Sequence, residues 1–161
     1  MEYRNAGVPE NKRTYSSVYN DDKIGTGHAR SAINSPQGWT AKTSKAGEWI
    51  QMDLGRARWV VGTRIQPRAY PSLGQYVSEY TVSTSLDGKS WAGVTGVYKG
   101  LDSQAYQNFF FGRVRVRARY VRMIVQKWHG RVSLRADVLV FDDGMSKEYA
   151  MVLCLHVLLS N

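Results

Sequence analysis

Apolar and polar residues alternate most clearly in Trp49-Ile50-Gln51-Met52-Asp53-Leu54-Gly55. Ile50, Met52 and Leu54 fall on one side and Gln51 and Asp53 on the other, the period of a strand with one face in a core. Gly55 closes the run by admitting a turn. Trp59, Val61, Thr63 and Ile65 repeat the pattern as a second strand. Residues 66–75 hold Pro67 and Pro71, which exclude regular pairing, and read as a loop. Tyr80, Val82 and Thr84 form a third strand; the Asp87-Gly88 step signals a hairpin, with residues 91–98 returning. Residues 109–116 and 120–125 read as two strands joined near Arg117-Ala118-Arg119. Trp128-His129-Gly130 reads as a tight loop, and Leu134, Ala136, Val138 and Val140 as the last strand.

Upstream, residues 1–13 are polar and read as a mobile lead-in, followed by a short strand within 14–19. Residues 20–27 are rich in Asx and Gly and form a long loop, and 28–44 are irregular, with Trp39 as their anchor to the core. No segment carries a convincing helical period. A half-buried strand needs a second layer to cover it, so the expectation is all-β: a two-sheet antiparallel β-sandwich of the jelly-roll type. The domain spans 14–141. Residues 142–161 form a C-terminal extension, apolar nearly all round from Tyr149 to Leu159, which either covers the sandwich or makes a homo-oligomer contact.

At 161 residues with 43% hydrophobic content, the chain fits one folded domain. Cys154 is the only cysteine, which excludes an internal disulfide and favours a reducing, intracellular compartment or a sandwich with core enough to need no disulfide. The first residues lack a signal-peptide layout, and the longest apolar run is too short for a transmembrane segment. The net charge of +9 permits acidic partners. Its densest expression is Arg113, Arg115 and Arg117, which alternate with Val114 and Val116 and so would share one sheet face suited to a phosphate, sulfate or carboxylate. The competing reading is a solvated face screened by salt. Nucleic acid is not favoured, because no recognised motif accompanies the charge. His28, His129 and His156 lie far apart, and no zinc signature, phosphate loop or nucleophile elbow occurs. Neither metal, cofactor nor enzymatic activity is expected.

Ser16-Ser17, Ala29-Arg30, Trp39, the 49–55 run, Tyr80-x-Val82-x-x-Ser85-x-Asp87-Gly88-x-x-Trp91, Arg119-Tyr120-Val121-Arg122 and Leu134-Arg135 follow one another as in a discoidin domain, the coagulation-factor C-type domain. The chain resembles that family over residues 14–141. The resemblance implies the galactose-binding-like jelly roll and a non-enzymatic binding module. Its loops at one end of the sandwich would meet glycans, phospholipid head groups or protein surfaces. Those loops correspond to 20–27, 67–75 and 128–130. Arg68 carries over from the family's frequent Gln-Gly-Arg step, with Pro67 a departure. Absence of a disulfide pair aligns the chain with disulfide-free members, amoebal lectins and intracellular scaffold subunits. An interaction subunit of a ciliary or ubiquitin-ligase assembly is therefore the alternative. The acidic Asn20-Asp21-Asp22 loop argues against an anionic membrane.

A sugar site needs hydrogen-bonding groups in a shallow pocket and an aromatic face for the apolar side of the ring. Asn20, Asp21, Asp22, Arg68 and His129 are the polar candidates, with Tyr70 or Trp128 as platform. Against this, Asp21 and Asp22 would serve only Asx turns and Trp128 would cap the core. In the basic stretch that runs on from Arg113, Arg122 and Arg135 sit at motif positions and would be structural.

Overall fold

The computed structural model describes residues 2–141. Nine strands are joined by turns and loops, the longest from residue 16 to 38, and the connections include three 3-10 turns. In chain order they are β1 (Tyr3–Asn5), β2 (Arg13–Tyr15), β3 (Trp39–Thr40), β4 (Trp49–Gln66), β5 (Tyr76–Ser85), β6 (Ala92–Lys99), β7 (Gln107–Phe110), β8 (Val116–His129) and β9 (Ser133–Phe141). All pairings are antiparallel.

β4 organises the molecule. Its first half lies between β2 and β8, with Ile50 opposite both Tyr15 and Met123, and β8 continues outward to β5 and β6. Its second half lies between β7 and β9, with Thr63 opposite Phe109 and Val138. The two groups of strands form the layers of the sandwich. Ile50, Met52, Tyr80, Val82 and Met123 from one meet Ile65, Leu134, Ala136, Val138 and Val140 from the other in a single core.

Two strands were expected where one ribbon serves both layers. The ladder to β8 slips between Asp53 and Arg58, where Gly55 sits at φ 77° and donates its N–H to Asp53 Oδ1 at 2.8 Å. Arg119 grips the same carboxylate through two bonds of 2.9 and 3.0 Å. Gly55 thus does turn the chain, as a bulge that keeps the ladder rather than an end to it. A second slip, between Val60 and Gly62 against β9, changes which residues face inward. Val60 is buried in place of Val61, and Trp59 is 38% exposed, whereas Thr63 and Ile65 are buried as the alternation implies.

The lead-in is also corrected. β1 pairs with β9 through Tyr3 opposite Phe141, and Val8 is in the core. Asp137 on β9 accepts from Asn5 Nδ2, Gly7 N and Val8 N, tying residues 5–8 down. Arg13 is fully buried, and its guanidinium donates to the carbonyls of Val8, Ser31 and Ala136, 3.8 Å from Asp137. Buried charge is tolerable only with such satisfaction, and here it binds the chain's start to its last strand.

Arg113, Arg115 and Arg117 do not line one strand face. β7 ends at Phe110, Gly112 turns at φ 68°, and β8 begins only at Val116, so Arg113 and Arg115 stand in a connecting loop and Arg117 in a strand. The Arg-Val alternation imitates a strand, but Gly112 sits at the left-handed φ that breaks it. β8 runs unbroken through 117–119 and carries Trp128 and His129, which are therefore strand residues and not a tight loop. Trp39 is fully buried, donates Nε1–H to Ser17 O at 2.8 Å and stacks on Tyr15, the anchor expected of it. The expected role of residues 142–161 lies outside the described residues. Among the described residues, no helix is long and apolar enough to cross a membrane.

Candidate functional site

One end of the sandwich collects the close of β4, the start of β5, the end of β8 and the start of β9. The segments between them are pinned from below. Arg135 on β9, 5% exposed, donates to Pro67 O at 2.8 Å, Ser35 O at 3.0 Å and Gln104 Oε1 at 2.9 Å. Gln66 bridges Asn34 and the carbonyl of Gln104. Ala69 N donates to Gln37 O at 2.7 Å, and a Cβ on Gly38, whose φ is 134°, would stand 3.3 Å from Arg68 Cα. Segments far apart in sequence are thereby fixed around Arg68.

Arg68 is the centre of the rim. Its Nε donates to Gln37 Oε1 at 3.0 Å and Nη1 to Gln75 Oε1 at 2.7 Å, while Nη2 lies 3.4 Å from His28 Nε2. His28 Nδ1 is 2.7 Å from Asp22 Oδ2, which also accepts the His28 backbone N–H at 2.8 Å. A carboxylate only accepts and a guanidinium only donates, so this chain of contacts assigns His28 the neutral tautomer with the proton on Nδ1. Asp22 is held below the ordinary carboxylate range by the His28 backbone and side-chain hydrogen bonds. Burial lowers the Arg68 pKa, the positive charge of Arg131 adding to this. Three of the five N–H donors of Arg68 are engaged, which leaves two for a ligand. The Tyr70 ring, 48% exposed, lies 5.3 Å from the guanidinium. Tyr19 packs edge-on to His28 and carries Arg131 over its face at 4.7 Å, joining the 130–131 turn to the first loop.

The structure thus brings Asp22 and Arg68 together through His28, with Tyr70 beside Arg68. Asn20 and Asp21 lie in the same loop, at φ 59° and 52°, but Asp21 turns to Lys42 with contacts of 2.8 and 2.6 Å. Trp128 packs against the core, and His129 stacks on Tyr76 at 4.9 Å. Arg122 lies between Trp49 and Trp91, 4.2 and 4.0 Å from their rings, and like Arg135 is structural. His28, Gln37, Gln75, Tyr19 and Arg131 escape sequence reasoning. A signal for His28 exists in Gly25-Thr26-Gly27-His28, because the left-handed Gly27 leaves the space that Asp22 fills beneath it. Among the described residues, no group of His, Cys, Asp and Glu has a metal-holding arrangement.

A model of the F5/8 type C domain matches residues 12–138. Lactadherin from Rattus norvegicus is 32% identical over 151 residues, covering 84% of this chain and 34% of lactadherin. Neuropilin-1 from Gallus gallus is 30% identical over 132 residues, covering 77% of this chain and 14% of that protein. The chain therefore spans about a third or less of these curated relatives. Among solved structures, discoidin II from Dictyostelium discoideum superposes with a TM-score of 0.60 at 15% identity, covering 88% of this chain and 55% of that one. The family 32 CBM from Clostridium perfringens NanJ, solved in complex with galactose, gives 0.62 at 18% identity, covering 86% and 99%. At those identities the structures speak for the fold, a two-layer jelly roll.

Proposed function

The chain belongs to the F5/8 type C (discoidin) domain family, and on that premise we propose that it is a non-catalytic binding module whose loop rim holds a galactose-like glycan. The observation that carries this reading is the Asp22–His28–Arg68 chain, braced by Gln37 and Gln75. It presents two unspent guanidinium donors beside an exposed aromatic ring. A hexose needs directed donors for its hydroxyls and an apolar face for its ring, and Arg68 with Tyr70 supplies both side by side. Preorganisation matters here, since side chains already fixed lose little entropy on binding. Isothermal titration with galactose and lactose tests it. Saturable binding is expected, weakened about tenfold or more in Arg68→Gln, the loss of one or two charged hydrogen bonds. Absence of binding across a broad glycan array by the folded domain would reject the reading.

A second reading has its own support. Ile24 and Leu73, 48% and 49% exposed, stand on the first and second rim loops. Part of the acidity of the first loop is also spent, Asp21 on Lys42. An anionic phospholipid surface is therefore a stronger competitor than the loop's sequence suggests. Sedimentation with phosphatidylserine vesicles that is lost in Ile24→Ser/Leu73→Ser, with no sugar binding, would favour it.

A further inference from the structure

At the end of the sandwich opposite the rim, the chain closes a groove of about 310 Å³. It lies where β9 finishes and β8 begins, whereas the rim uses the start of β9 and the end of β8. Tyr3, Val61, Phe110, Val114 and Phe141 supply its apolar lining, and Arg113 and Arg115 complete it. Tyr3 and Phe110 meet edge to face at 4.8 Å, which fixes the wall. Tyr3, Phe110 and Val114 are 44%, 45% and 56% exposed. Such exposure of large apolar side chains in one depression marks a site rather than scattered surface residues.

The charge beside it comes from Arg113 and Arg115. Arg115 lies over the Phe141 ring at 4.6 Å. Among the described residues, neither Arg113 nor Arg115 has a carboxylate within salt-bridge distance. Two guanidinium groups this close in sequence repel one another and gain from a shared anion. The volume sits at the lower limit of small-molecule sites, roughly 300–1,000 Å³, too little for a two-chain lipid.

We propose that this groove is a second binding site, for a free single-chain amphiphilic anion of the fatty-acid class. The hydrocarbon chain lies against Tyr3, Phe110 and Phe141, and the head group is held by Arg113 and Arg115. Proposed glycan binding at the rim plays no part in this argument.

Laurate below its micellar concentration, titrated into the full chain and followed by NMR amide shifts, tests the site. Saturable shifts at Tyr3, Phe110 and Val114 are expected, with affinity reduced about tenfold in Arg113→Gln/Arg115→Gln. Dodecanol, which lacks the charge, and acetate, which lacks the chain, should both bind at least about tenfold more weakly. Arg68→Gln should leave laurate binding unchanged, so failure at the rim and failure here are separable. Both arginines are exposed, and Val114→Asp provides a second variant that blocks the chain rather than the head group. Equal binding of laurate and dodecanol, an unaltered double-arginine variant, or shifts confined to the rim would overturn the proposal. So would phosphatidylserine-vesicle binding that depends on Arg113 and Arg115 while laurate gives no saturable site, since the groove would then serve a bilayer.

Discussion

Arg135→Met is the perturbation that most directly links the fold to the rim. The guanidinium makes three hydrogen bonds, to Pro67 O, Ser35 O and Gln104 Oε1, from a side chain 5% exposed. Hydrogen bonds to charged groups are worth about 1.5–3 kcal/mol each, but their sum overstates the loss. Burial lowers the Arg135 pKa, a sign that the buried cation forgoes solvation, and methionine recovers that part. What remains is chiefly the cost of leaving the Pro67 and Ser35 carbonyls unpaired, about 1–3 kcal/mol apiece. The net expectation is a loss of about 2–4 kcal/mol. At roughly 2–4 °C per kcal/mol for a domain near this size, Tm should fall by about 5–15 °C. Urea denaturation should show a lower midpoint with an unchanged slope. Amide exchange should accelerate first in 34–37 and 67–75, because those segments lose their common support. Arg135→Lys keeps the charge without the three-way fork and should also lose stability. A loss under about 0.5 kcal/mol, or exchange unchanged in those segments, would refute the assignment of Arg135 as the support of the rim.

Three further outcomes follow from the same structure. In Gly27→Ala the new Cβ would stand 2.2 Å from Asp22 Oδ2 at a backbone φ of +44°; about 1–2 kcal/mol of stability and the His28–Asp22 contact should be lost together, read by urea melting and the His28 ring resonances. Asp53 is held below its ordinary value of 3.8 chiefly by the Arg119 hydrogen bond. Its contribution is therefore complete above that value and fades as pH falls through the lower folded-state value, so Asp53→Asn should flatten the acid limb of a Tm-against-pH curve and leave neutral-pH curvature alone. Arg122→Gln removes a cation held between Trp49 and Trp91 and should cost about 1–2 kcal/mol with a shift in tryptophan emission, while sugar binding stays intact.

How much of this was readable from sequence depended on the range of the interactions involved. Alternation placed Ile50, Met52, Leu134, Ala136, Val138 and Val140 in the core, because one-sided burial imposes its period on the chain directly. The slips after Asp53 and Val60 carry no local signal, because each depends on a strand far along the chain, β8 or β9, and Val60 is buried where the alternation put Val61. The lead-in looked mobile because its polar groups find partners on Asp137, beyond any local pattern. Arg68 was found through a family motif, but His28 was not. A lone histidine carries little information until folding sets its two nitrogens against Asp22 and Arg68.

The central claim is that the rim around Arg68 is a ligand site. A galactose titration followed by NMR reads it most directly, through the Arg68 Nε–H and the backbone amides of His28, Gln75 and Tyr70. The account predicts saturable shifts at those positions, and no shift of the His28, Gln75 and Tyr70 amides in Arg68→Gln, while the rest of the spectrum stays native. Galactose that leaves all four unmoved in the parent protein, or that shifts those three amides equally in Arg68→Gln, would contradict it.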